Sequence, residues 1–187
     1  VQGVSDMRAF FALCLSIVAA ALPGCGKDAK EKEPDRVAKI LNTGPGDRRQ
    51  AITKFVQEEG LPGVKRLLET DSSQNKMFAL TCLGMLKENQ EATDLLIKFA
   101  NGEDSEDSYW AVIALGAKGA PEAKAVIETL LKSEDPRRRE GACEAIGQYG
   151  DTTLYPLLGA AARDDDPRVR HAAERTLQTL KEGKVVP

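Results

Sequence analysis

The side chains best able to hold an anionic group are arginines in the last third of the chain. A guanidinium binds phosphate or carboxylate through paired hydrogen bonds, so a local concentration of arginine predicts a surface for an acidic or phosphorylated partner. The whole chain has a formal net charge of −3, and its positive character is therefore local. The alternative is that these arginines are solvated or engaged in structural pairs. The concentration comprises Arg137, Arg138, Arg139, Arg163, Arg168, Arg170 and Arg175.

Five of these arginines and two aromatic residues form the predicted partner-binding set. Tyr109 and Trp110 are included because exposed aromatic side chains often anchor a partner. Trp110 also falls beside the apolar stripe of its helix, so packing is the competing interpretation. The predicted arginines are Arg137, Arg138, Arg163, Arg168 and Arg175.

Catalytic and metal chemistry have little support in the residue types. His171 is the single histidine, so a histidine cluster or a Ser-His-Asp arrangement would depend on that one residue. Asp164-Asp165-Asp166 lacks the spaced ligands of a calcium-binding loop, and helix capping explains these acids better. We therefore predict no catalytic residue, no cofactor and no metal.

The cysteines predict neither a disulfide nor a metal site. Of the four, Cys14 and Cys25 lie in the first 25 residues, which leaves Cys82 and Cys143 for the body of the chain. These two fall two repeats apart, and stacked helices lie about 10 Å from each other, well beyond the roughly 5.5 Å that a disulfide spans. Both are expected to be free, packed thiols.

The elements that position these side chains are repeated helices. Asp104, Asp135 and Asp166 stand at intervals of 31 residues, and each is followed by the same apolar pattern. Apolar residues recur at i, i+3, i+4 and i+7, which is one stripe of a helix. The aligned core positions are Ala111, Ala142 and Ala173, then Leu115, Ile146 and Leu177. Each unit is therefore predicted to be helix, turn, helix.

Helix ends are marked by capping residues. Asp135-Pro136 and Asp166-Pro167 favour helix starts, because aspartate accepts a hydrogen bond from a free backbone N–H and proline suits the first helical position. Gly84, Gly116 and Gly147 follow the first stripe of their units, so we expect each to end a helix with positive φ.

The predicted fold is all-α: a right-handed α-solenoid of about four antiparallel helix pairs plus terminal helices. Upstream of the clear repeats, residues 47–56 and 61–68 suggest a degenerate first pair, and residues 35–41 a lead-in helix. A single pair cannot bury its apolar stripe, whereas stacked neighbours share a continuous core. The repeat domain is predicted to span residues 35–182, followed by a tail at 183–187.

Two segments, Asp135–Asp151 and Asp166–Leu177, resemble the HEAT-like repeats of bacteria. That family has an Asp-x-x-Val-Arg-x-x-Ala-x-x-x-Leu-Gly signature and a short form also found in phycobilisome lyases. The resemblance covers roughly residues 71–180. It implies a buried ladder of repeated Asp and Arg side chains between units, interrupted where Ser108 replaces arginine. The ladder residues would be Asp104, Asp135, Arg139, Asp166 and Arg170.

The N-terminal residues predict export. Met7-Arg8 precedes the apolar run Ala9–Leu22, which is shorter than the about 20 residues that span a bilayer and suits a secretory signal. Residues 1–6 precede the true start at Met7, or Val1 reflects an alternative start codon. The run ends in Leu22-Pro23-Gly24-Cys25, which resembles a lipobox, although Pro23 replaces the usual Ala or Ser. Residues 1–24 would be the signal peptide, cut after Gly24.

The lipobox resemblance implies acylation of Cys25 and anchoring in a bacterial membrane, facing the periplasm or the exterior. Residues 25–34 would form a charged tether. By resemblance to enteric lipoproteins, Gly26 in place of aspartate permits sorting to an outer membrane in a cell that has one.

Three functions follow from these features. The favoured one is a lipid-anchored, non-catalytic scaffold or adaptor that docks a protein of the cell envelope on its stacked second helices. The alternative is a repeat-fold enzyme or enzyme subunit related to bilin lyases, which the fold alone does not decide. Nucleic-acid binding is disfavoured, because the chain is acidic and carries an export signal. The partner's identity and any small ligand are left open.

Overall fold

The computed structural model describes residues 33–182, and they form an all-α solenoid without a β-strand in that range. The predicted signal segment, Cys25, most of the tether and the tail at 183–187 lie outside the described residues. No helix of residues 33–182 is long and apolar enough to cross a membrane. The α-helices are α1 Glu33–Leu41, α2 Pro45–Leu68, α3 Ser73–Met85, α4 Gln90–Ala100, α5 Ser105–Lys118, α6 Ala123–Leu130, α7 Pro136–Tyr149, α8 Tyr155–Ala161 and α9 Pro167–Lys181.

The helix starts follow the capping residues of the sequence. The side chain of Asp104 accepts a hydrogen bond from the backbone N–H of Asp107 at 2.8 Å. Asp135 and Asp166 accept equivalent bonds from the residues two positions on, each at 2.8 Å, and Pro136 and Pro167 are the first helical residues. The predicted starts of α7 and α9 are therefore confirmed, and α5 begins in the same way after Asp104. Each cap satisfies a backbone donor that the helix leaves free.

The predicted first pair is present within α2. Gly60 interrupts this helix with φ 58° and ψ −162°, a combination that is essentially restricted to glycine. Residues 45–59 and 61–68 are thus two helical segments joined by one residue, and Pro62 follows the break in a first-turn position. The α1 helix supplies the predicted lead-in.

The expectation that Gly84, Gly116 and Gly147 end helices with positive φ is wrong. All three lie within helices. In α5 and α7 the positive φ occurs three residues after Gly116 and Gly147, at the capping residues Gly119 (73°) and Gly150 (76°). The three helical glycines instead allow neighbouring repeats to approach closely. A Cβ on Gly116 would lie 2.7 Å from the Ala145 carbonyl oxygen, closer than van der Waals contact allows.

The helices form two layers. The first helices α3, α5, α7 and α9 pack side by side, while the second helices α4, α6 and α8 cover one side of them. Leu115 and Ile146 are fully buried between these layers, as the repeat register predicts. Because a buried leucine or isoleucine contributes about 1.5–3 kcal/mol, these positions largely hold successive repeats together. The last described helix, α9, exposes several polar and charged residues to solvent.

Candidate partner-binding surface

Most predicted partner-binding arginines are occupied by contacts within the protein. The guanidinium of Arg137 donates to both carboxylate oxygens of Glu106, at 2.7 and 2.9 Å, and to Glu140 at 2.9 Å. Burial opposes the charge, but the hydrogen bonds to Glu106 and Glu140 raise the pKa of Arg137 above its usual range. This side chain therefore joins α5 to α7 and is not free to bind a partner.

The predicted aromatic pair packs into the same network. Tyr109 is buried, and the guanidinium carbon of Arg137 lies 3.4 Å from the centre of its ring, a cation–π contact. Burial and a hydrogen bond to the Glu144 carboxylate raise the pKa of Tyr109 above its usual range. Trp110 is half-buried and meets Tyr109 edge-on at 5.0 Å between ring centres. Packing is thus what the structure shows for both rings.

The remaining predicted arginines differ in their contacts. Arg138 donates through Nη2 to the carbonyl oxygens of Gly102 and Glu103. Arg168 pairs with Asp166 of its own helix start. Arg163 is exposed, and its side chain makes no hydrogen bond or ion pair with residues 33–182. The structure does not bring these arginines and the aromatic pair together into one binding patch.

Ion pairs between equivalent positions of successive repeats account for part of the charge. In each pair, the two residues stand 31 positions apart and carry opposite charge. Opposite charges 31 residues apart are therefore a sequence signal for ion pairs between repeats, and the sequence analysis did not use it. The pairs are Lys76 with Asp107, Glu106 with Arg137, and Glu144 with Arg175.

The Asp and Arg side chains of the predicted ladder pair with different residues from those that the resemblance implied. Arg139 donates to both oxygens of Asp164 in the next repeat, at 2.8 Å each, and not to Asp166. The hydrogen bond from Arg139 lowers the pKa of Asp164, and the same bond raises the pKa of Arg139. Asp104, Asp135 and Asp166 act as helix caps.

The loops before α7 and α9 are fastened by equivalent arginines. Arg139 donates through Nη1 to the carbonyl oxygens of Ser133 and Glu134, at 2.9 and 3.0 Å. Arg170 does the same with Asp164 and Asp165, at 2.7 and 2.9 Å. In the preceding unit, buried Ser108 donates instead to the carbonyl oxygen of Ala100 at 2.6 Å.

A groove between two second helices is the surface best suited to a partner. We call it the α6–α8 groove. It is a cleft of about 380 Å³, within the range of about 300–1,000 Å³ that ligand-binding clefts occupy. The bidentate pair of Arg139 and Asp164 lies at one border. Its lining residues are Glu128, Leu131, Lys132, Arg139, Leu157, Ala160, Ala161, Asp164 and Val169.

Leu157 distinguishes this groove from the rest of the surface. Its side chain is 36% exposed, and no other large hydrophobic residue within 33–182 is exposed to that extent. The stretch Thr152–Ala162, which contains α8, has no charged residue. An uncharged stretch of this length is a feature of the sequence that could have indicated the groove. The predicted site included neither Leu157 nor Lys132, because the cleft forms only where α6 and α8 lie beside each other.

The groups considered for chemistry do not converge. His171 is exposed on the first turns of α9. Within the described part of the chain, no three His, Cys, Asp or Glu side chains are placed to hold a metal ion. Cys82 and Cys143 are buried and free, as predicted, and burial raises the pKa of each thiol to about 12.

Comparison with known proteins agrees with the repeat geometry. The family model of HEAT repeats matches residues 93–178, which run from α4 into α9. No curated protein matches the chain significantly. HEAT repeats commonly serve as protein-interaction scaffolds and are typically non-catalytic. Residues 93–178 of this α-solenoid therefore form HEAT-like helical repeats.

Proposed function

We propose that this protein is a non-catalytic scaffold of the bacterial cell envelope, held at a membrane by a lipid on Cys25 and docking a protein on its second helices. The observation that carries the proposal is the α6–α8 groove with the exposed side chain of Leu157. An apolar side chain in a cleft with charged borders is typical of the centre of a protein interface.

The charged side chains of the first-helix layer pair with one another, which makes that layer a poorer docking face than the second helices. Arg137 pairs there with both Glu106 and Glu140, and Arg175 pairs with Glu144. These ion pairs join neighbouring repeats, so the two arginines are already engaged and are not available to bind an acidic partner. On the second-helix surface, Leu157 is exposed and Lys132 has no ion-pair partner within residues 33–182. This surface is therefore the better docking face.

Support for the lipid anchor comes from the sequence around Cys25. The apolar run Ala9–Leu22 and the ending Leu22-Pro23-Gly24-Cys25 match the order of a lipoprotein signal. Several acyl chains on one cysteine would hold the protein firmly, because each buried methylene contributes about 0.8 kcal/mol.

The anchor is tested by intact mass and membrane fractionation after expression in a bacterium. We expect the wild-type chain to begin at Cys25, to carry the mass of its acyl groups, and to sediment with membranes. Cys25→Ser should abolish the lipid mass. Cys14→Ser is the matched control, because it removes a thiol from the same segment outside the cleavage motif, and it should be lipidated normally. An unmodified wild-type chain would refute the anchor.

The scaffold role is tested by crosslinking in cells followed by affinity capture. We expect one protein to be enriched with the wild-type chain and lost with Leu157→Asp, which places a charge in the α6–α8 groove. Gln74→Asp, at an exposed site on α3, adds the same charge elsewhere and should retain the partner. Equal capture by both variants would refute the groove as the docking face.

A further inference from the structure

The α6–α8 groove continues across α6 into a second depression. This second depression has a volume of about 620 Å³ and lies between the end of α4 and α6. Both depressions are lined by Glu128 and Lys132, so they are continuous across the end of α6. We call the combined area the α4–α8 surface. An area that runs from Asn101, just after α4, across α6 to α8 suits an elongated partner better than a compact small molecule.

The charges that line the α4–α8 surface leave a positive excess. Arg139 and Asp164 neutralise each other through their bidentate pair. Of the other lining charges, Lys132 and Arg138 are positive and Glu128 is negative, which gives two minus one, a net charge of +1. Lys132 is exposed and has no ion-pair partner among residues 33–182, while Arg138 uses one nitrogen for two carbonyl oxygens.

We infer that the α4–α8 surface binds an amphipathic helix of a partner protein, with an apolar ridge over Leu157 and Leu131 and with acidic residues facing Lys132. This inference rests on the proposed scaffold function and names the partner's chemistry. A helix that lies in a groove presents apolar anchors at i, i+3, i+4 and i+7. Its acidic flank would supply a carboxylate to Lys132, which has no ion-pair partner among residues 33–182.

The contacts expected of each part differ. Leu157 and Leu131 would receive the apolar anchors, since Ala160 and Ala161 leave the space beside them open. Lys132 lies two residues beyond the end of α6 and lines both depressions, so it can reach a carboxylate on either side of the bound helix. Glu128 lies one helical turn before Lys132 and so disfavours an acidic residue at that end, which orients the partner.

The experiment measures binding of two designed helical peptides to the full chain by calorimetry. The peptides share one leucine ridge and differ only in flanking residues, glutamate in one and lysine in the other. We expect the glutamate peptide to bind about tenfold more tightly, which corresponds to about 1.4 kcal/mol. Lys132→Glu should remove or reverse the preference. Leu157→Asp should weaken both peptides about tenfold, by the same conversion.

The control variant is Lys181→Glu, which makes the same charge change at an exposed site of α9 that lines neither depression. It should leave the preference unchanged. All variants are first compared by thermal melting, and because Lys132, Leu157 and Lys181 are exposed, we expect melting curves close to that of the wild type.

Three results would overturn the inference. They are binding of neither peptide, equal binding of both, or a preference that Lys181→Glu changes as much as Lys132→Glu does. A dimer of this chain that Leu157→Asp dissociates would show instead that a second copy covers the surface. If the wild-type chain captures a cellular partner that Leu157→Asp loses, but the two peptides bind equally, the helix is refuted and the scaffold is retained. If the wild-type chain captures no partner, the scaffold itself is refuted.

Discussion

Replacing Gly116 by alanine tests whether the helical glycines set the distance between repeats. The added Cβ would lie 2.7 Å from the carbonyl oxygen of Ala145 and 3.3 Å from its Cα. These are backbone atoms of α7, so they cannot rotate away as the end of a side chain could. The helices α5 and α7 would therefore have to move apart, and the apolar contacts of Leu115 and Ile146 would be disturbed.

The change in the free energy of unfolding follows from two opposed effects. Alanine in place of glycine within a helix stabilises by roughly 0.5–1 kcal/mol, because it restricts the unfolded chain. Overpacking a close contact costs about 1–3 kcal/mol. We expect the clash to dominate and Gly116→Ala to lower the free energy of unfolding by about 1–2 kcal/mol. For a chain of this size, that lowers the melting temperature by roughly 2–8 °C.

The control is Gly159→Ala in α8. A Cβ at Gly159 would meet no atom within 4 Å, so only the favourable effect remains. We expect this variant to gain about 0.4–1 kcal/mol. Gly147→Ala should fall between the two, because its added Cβ meets the Thr176 methyl group at 2.9 Å and not a backbone atom. Urea denaturation followed by circular dichroism measures all three, and Gly116→Ala as stable as Gly159→Ala would refute the reasoning.

Three further predictions test the core, the inter-repeat pair and the thiols. Leu115→Asp places an unpaired charge at a fully buried site, so we expect loss of helicity by circular dichroism, and a normal melting curve would contradict the repeat register. The pKa of Asp164 is lowered in the folded state, so its ionised form stabilises the fold above about pH 4, the ordinary range of the group, and this stabilisation is lost as pH falls through the lower folded pKa. Asp164→Asn should therefore make the free energy of unfolding, measured by urea denaturation, less dependent on pH on the acid side. A dependence as steep as that of the wild type would contradict the pairing. Cys82 and Cys143, whose pKa burial raises to about 12, should react with a thiol reagent only after unfolding, and rapid labelling of the native protein would contradict their burial.

The repeat pattern was sufficient to predict helix pairs and their register. Aspartate followed by proline marks a helix start through local backbone chemistry, and the starts at Pro136 and Pro167 needed no tertiary information. Gly116 was misinterpreted because a helical glycine and a capping glycine look alike in one sequence. Gly116 and Gly119 occur three residues apart, and only the contact with Ala145 in the next repeat separates their roles.

The candidate site was less predictable than the fold. Arg137 and Arg175 were assigned to a partner because the carboxylates that neutralise them stand 31 residues away in sequence, at the same position of the preceding repeat. Leu157 was not among the predicted residues, since its exposure depends on where α6 lies relative to α8. Features within one helix could be predicted locally, whereas features that require two repeats could not.

The most direct test of the scaffold account is photo-crosslinking in cells from a single position in the α6–α8 groove. A photoreactive residue replaces exposed Ala160 in one strain and exposed Gln74, on the first-helix layer, in another. The account predicts one discrete adduct from position 160, found in the membrane fraction and lost when Leu157→Asp is added. The same adduct from position 74, or no adduct from position 160, would contradict it.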